Sequence, residues 1–145
     1  MMRWSILAVF LLATLVGGCQ TYTGALQQSV ARANETAALT TLKAIGLAEQ
    51  TYSLTNNGEY GTLKQLSDGG FLDVRYASDK SVKDYVVSCN VTPKGADAPA
   101  GSFSCNADPD KGKESAGRHL YIDSTADGIH VNDTQRATAA DKVMQ

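Results

Sequence analysis

The chain has 145 residues and a formal net charge of -2, and its Lys and Arg form no block, which excludes nucleic acid as an expected partner. Hydrophobic residues make up 43% of it and aromatic residues 7%, enough for one modest core and too much for a disordered polar chain.

At the N-terminus, Arg3 precedes an apolar run from Trp4 to Leu15, and Val16-Gly17-Gly18-Cys19 follows. A basic residue, a short apolar run and small residues together make a secretory signal. The run is shorter than the ~20 residues of a membrane span. Small residues ending in cysteine resemble a bacterial lipobox. The resemblance implies a diacylglycerol on the Cys19 thiol and cleavage just before it. The expected layout is a signal peptide over 1–18, a lipidated cysteine and polar tether over 19–28, a domain over 29–131 and a tail over 132–145. Gln20, standing where Asp would retain a lipoprotein at the inner membrane of enteric bacteria, points by analogy to the outer membrane.

From Ser29 to Leu54, Val30, Ala33, Ala37, Leu42, Ile45, Ala48 and Tyr52 recur at spacings near three and four. This predicts an amphipathic helix, supported by frequent Ala and no Pro. Asn56-Asn57-Gly58 supplies its stop, because these residues tolerate a left-handed backbone. Leu26, Leu39, Leu47 and Leu54 fall off the main face and form a second apolar stripe, open to a partner helix. Leu63 and Leu66 suit a short helical turn, which Gly69-Gly70 breaks.

From Tyr85 the period becomes two. Tyr85, Val87, Cys89 and Val91 share one face of a strand, and Phe103 and Cys105 share one face of the next, across a Pro- and Gly-containing loop. His119 to Asp123 and Gly128 to Val131 read as two further short strands, joined by a turn at Asp127-Gly128. The predicted fold is α+β: one long N-terminal helix packed on an antiparallel meander of about four strands. Asn132 to Gln145 is compatible with a helical tail, an edge strand or disorder.

Three cysteines in an exported chain leave one over. With Cys19 lipidated, Cys89 and Cys105 remain as a pair in an oxidising compartment, and a disulfide between them is expected. A loop of about 15–17 residues closed in this way is rated at about 3 kcal/mol.

Several pieces in order resemble the globular part of type IV pilins and of the pseudopilins of type II secretion. They are Ala48-Glu49-Gln50-Thr51-Tyr52, Gly58-Glu59-Tyr60 with Leu63 and Leu66, Gly70-Phe71-Leu72-Asp73 with Tyr85, and Leu120-Tyr121-Ile122-Asp123 through Gly128-Ile129-His130. The resemblance implies a helix on an antiparallel sheet and no enzymatic activity. The leader, cleavage site and apolar half-helix of a pilin are missing, and a lipobox stands in their place. The resemblance therefore implies the fold without filament formation, and a domain that is monomeric in solution.

Asp123, Thr125 and Asp127 place oxygen side chains at alternating positions before Gly128, as at the start of a Ca²⁺ loop. Thr134 stands where such a loop needs a bidentate Glu, and a plain Asp-Gly turn is the favoured reading. No metal and no cofactor is expected, with Ca²⁺ the weaker alternative. His119 and His130 read as surface residues of two neighbouring strands. No nucleophile elbow, Cys-x-x-Cys or phosphate loop occurs. The expected protein is a non-catalytic, lipid-anchored envelope component, an accessory or interaction module of a pilus, secretion or surface assembly. Its expected partners are the membrane, through the anchor, and an envelope protein. A ligand- or Ca²⁺-binding lipoprotein is the rival reading.

Overall fold

The computed structural model describes residues 3–78, 81–95, 100–112, 117–125 and 127–144, with side chains from residue 24 onward except 77 and 78. Helix α1 runs through Arg3–Thr55 without a break. The short helices α2 (Leu63–Asp68) and α3 (Val74–Ser78) follow. Among the described residues six strands come next: β1 (Ser81–Val82), β2 (Tyr85–Thr92), β3 (Ser102–Pro109), β4 (His119–Asp123), β5 (His130–Asn132) and β6 (Lys142–Val143). They form one antiparallel sheet whose spatial order follows the chain.

The architecture is α+β, with a long N-terminal helix packed on an antiparallel sheet. The sheet has six strands where the alternation pattern predicted about four. The additions, β1 and β6, are two residues each. A two-residue strand is too short to show a period, and only backbone pairing to a longer neighbour defines it. The segment after Asn132 therefore ends as an edge strand.

The core lies between α1 and the inner face of the sheet. Ala38, Leu42, Ile45 and Ala48 face Tyr85, Val87, Phe103, Cys105, Ala107 and Leu120, all buried. The helical stripe is rotated from its predicted line at the N-terminal end. Val30 is 46% exposed, Ala33 is exposed, and Ala38 takes the buried place. Most side chains of the described α1 turns before Asn34 are exposed. Gly46 sits where helix and sheet come closest. A Cβ on it would stand 2.8 Å from Ile122 Cδ1, so its lack of a side chain sets how near β4 can lie. Residues 20–28, expected as a tether, are helical backbone continuous with the domain.

α1 ends at Asn57 and Gly58, both in the left-handed region at φ 54° and 80°, as the Asn-Asn-Gly stop predicted. Gly58 N–H donates back to Ser53 O at 2.8 Å. α2 is opened by a capping box between Thr62 and Gln65, and buries Leu66.

Candidate functional site

Two polar clamps fix α1 to the sheet midway along the helix. Asn34 Nδ2 donates to Asp84 Oδ2 at 2.8 Å. Arg118 NH2 donates to Glu35 Oε1 at 2.6 Å, and Arg118 N–H donates to Glu35 Oε2 at 3.2 Å. Burial opposes ionisation of Glu35, but these bonds outweigh it and hold the carboxyl below its usual value. Tyr85 completes the second clamp, donating its hydroxyl to Arg118 O at 2.9 Å and accepting from Gly117 N–H at 3.1 Å. Burial and the nearby Glu35 charge push its hydroxyl up to about 12. Gly117 allows this approach, because a Cβ there would collide with the Glu35 carboxylate and stand 3.0 Å from the Tyr85 hydroxyl.

Cys89 and Cys105 are directly opposite in the β2–β3 ladder, with Cα atoms 4.1 Å apart and sulfurs at 2.08 Å. Cys105 is fully buried on the inner face. Alternation in both strands places the two side chains on one face, and a shared register brings them together. Cys19 lies within α1, and its side chain is outside the described residues.

Asp123, Thr125 and Asp127 come together at the β4–β5 turn; Ala126 between them is outside the described residues. Thr125 donates its N–H and hydroxyl to Asp123 Oδ1 at 2.9 and 2.6 Å, and its hydroxyl lies 3.1 Å from Asp127 Oδ1. Tyr121 OH donates to Asp123 Oδ2 at 3.0 Å. His130 Nε2 lies 3.0 Å from Asp127 Oδ1. Burial opposes ionisation of Asp123, yet the bonds from Thr125 and Tyr121 hold its carboxyl low. Both Asp123 oxygens and Asp127 Oδ1, which a Ca²⁺ reading would assign to a cation, have protein partners instead. Among the described residues no group of three or more His, Cys, Asp or Glu is placed to hold a metal.

His130 is buried at 3% exposure, a correction to its reading as a surface strand residue. The cause is the C-terminal segment, which folds back over the outer face of the sheet. Ala137 is 1% exposed, and its carbonyl accepts from Asn106 Nδ2 at 2.7 Å. Arg136 reaches Ser88 Oγ at 2.6 Å and Asp108 Oδ2 at 3.5 Å. Asp108 also meets His119 Nδ1 at 2.7 Å. Asn132 Nδ2 donates to Asp141 Oδ1 at 2.7 Å, and His130 Nδ1 lies 2.7 Å from Asp141 O. His119 and His130 sit on neighbouring strands but turn to different partners. This outer layer went unread in the sequence, because its contacts join residues of unlike spacing across four elements. The only local signal was the clustering of Asp, Asn and Thr after Val131.

The exposed surface of α1 carries Leu26 at 49%, Leu47 at 66% and Leu54 at 86% exposure, whereas Leu39 packs against the core. Among the described residues, grooves flank the helix on both sides of its packed face. One of about 530 Å³ runs between Ala33, Ala37 and Thr40 of α1 and Tyr76 and Val82. The other, about 290 Å³, lies among Leu39, Ile122, Ile129 and Met144. Among the described residues no helix is long and apolar enough to cross a membrane. No family model, curated protein or solved structure matches the chain.

Proposed function

We propose that the protein is a lipid-anchored, non-catalytic component of a bacterial envelope, with a pilin-like domain serving as an interaction module. The observation that carries this reading is the Val16-Gly17-Gly18-Cys19 box, set on a helix that continues without a break into the domain. Lipid on Cys19 would place the membrane at one end of that helix and the sheet at the other. Gln20 favours the outer membrane. The long helix packed on a meander whose order follows the chain supports the pilin-like assignment. The exposed Leu47 and Leu54, with the grooves flanking α1, supply apolar surface of the kind partners use.

Metabolic labelling with a fatty acid tests the anchor. The wild-type protein is expected to carry the label and Cys19→Ser to lack it; a labelled Cys19→Ser protein would end this reading. Capture of the intact lipoprotein from its own membranes then identifies the envelope partner.

A further inference from the structure

The α1–α2 connection folds back on helix α1 over a carboxyl group that has no counter-ion among the described residues. Glu49 is fully buried. Its Oε2 accepts Gly61 N–H at 2.9 Å, while Oε1 has no hydrogen-bond partner among the described residues. A buried carboxylate with a free oxygen is costly, and the neutral acid at the same place is far less so.

The bond to Gly61 holds a segment on which several elements depend. A Cβ on Gly61 would stand 3.1 Å from Leu66 Cδ2 and 3.3 Å from the Tyr52 ring, so the backbone lies flat against both. On one side of Gly61, Thr62 begins the capping box of α2. On the other, Tyr60 packs on Phe103 with ring centroids 5.1 Å apart. Glu59 Oε2 accepts Lys94 N–H at 3.3 Å, and Lys94 Nζ donates to Asn57 O.

The titratable and charged groups around this junction are Tyr52 on α1, Glu59 and Tyr60 on the connection, Lys94 on the hairpin, and Lys64 with Asp68 on α2. Lys94 is engaged by Asn57, and Lys64 pairs with Asp68 at 2.6 Å on the surface. Burial pushes the Glu49 carboxyl up to about 7, against the opposing effect of the Gly61 bond.

We propose that Glu49 is the switch of a pH-sensitive junction: as the neutral acid it holds the 58–62 connection against α1, and as the carboxylate it draws in water and releases it. Release uncovers Leu66 and the Tyr60–Phe103 contact at the C-terminal end of α1. The switch does not depend on where the chain is anchored.

The direction follows from linkage. The closed junction binds a proton more tightly than the open one, so closure is favoured in acid and weakens between about pH 4.5, the open value, and about 7, the closed value. The test is ¹³C-carboxyl NMR of Glu49 with amide hydrogen exchange of residues 58–62, on the full chain in detergent micelles. The Glu49 carboxyl is expected to titrate near neutrality. The protection factor of Gly61, corrected for intrinsic exchange, should fall on the order of 50–100-fold between pH 5 and 8. Glu49→Gln keeps an acceptor for Gly61 and should abolish that fall, whereas Glu59→Gln should retain it. A Glu49 carboxyl already ionised at pH 5.5 with Gly61 still protected would overturn the proposal, as would a wild-type profile in Glu49→Gln. If Glu49→Gln does not fold, the wild-type carboxyl titration alone decides. Failure here leaves the fatty-acid labelling result untouched.

Discussion

His130 shows how much one side chain can hold. Both ring nitrogens face acceptors, a backbone carbonyl at Asp141 and a carboxylate at Asp127. A neutral imidazole has one N–H and can satisfy only one of them, so the doubly protonated ring fits the site. The bond to Asp141 O, aided by Asp127 and opposed by burial, raises its pKa. Its stabilisation is complete below the unfolded value of about 6.5 and is lost as pH rises through the higher folded value. Glu49 acts in the same direction between its unfolded and folded values. Glu35, Asp123 and Asp141, whose carboxyls are held low, act oppositely. Their contribution is present above the unfolded carboxylate range and lost as pH falls through the folded values. Stability is therefore expected to peak on the acid side of neutrality, and thermal unfolding from pH 3 to 9 measures this directly. In the core, Leu42 is fully buried, and Leu42→Ala is expected to cost about 2–5 kcal/mol by denaturant titration. Leu42 and Ile45 were legible in the sequence because apolar residues at helical spacing point to a core. Glu49 was not, because a carboxylate at the same spacing reads as solvent-facing until the loop that covers it is known.

Among the elements, the β2–β3 ladder and the C-terminal segment stand at opposite ends of legibility. Strict alternation from Tyr85 and again from Ser102 revealed both strands, their inner faces and the facing cysteines, since a period of two fixes which side chains share a side. Cys89→Ser is expected to lower stability by roughly 2–4 kcal/mol. Peptide mapping without reductant should find the Cys89 and Cys105 peptides linked; two free thiols in protein isolated from its native cells would count against the bond. The segment after Asn132 has no period to read. It is held by side-chain hydrogen bonds of Asn132 and Asp141, to each other and to nearby backbone N–H groups, and by the buried Ala137. Deleting residues 137–145 should cost about 1–3 kcal/mol, from the lost bonds of Asn106, His130 and Asn132 to that segment and the lost β5–β6 pairing. Faster amide exchange at His130 to Asn132 would locate that loss. Gly117 belongs to the same category. Nothing local announces it, yet Gly117→Ala should drive apart Glu35, Arg118 and Tyr85, and a lowered melting temperature with an intact far-UV spectrum would mark the loss of that clamp.

For the molecule as a whole, the long helix and meander were legible from the switch between periods of 3.6 and two. The length of α1 was not, because residues 20–28 are mostly polar and read as a tether. The helix they form belongs to one continuous rod. Purified residues 29–145 are expected to remain monomeric and to form no filaments at micromolar concentration, tested by sedimentation and negative-stain microscopy. Ordered filaments would identify the chain as a true pilin subunit. The two clamps at Asn34 and Glu35 have a mechanical meaning in such a rod. A pull applied to the N-terminal end of α1 travels along its axis and meets Asp84 and Arg118 together, on separate elements. The load is then shared between the two clamps and the core packing of α1 behind them. The helix end is thus a handle, and the sheet the body that it moves.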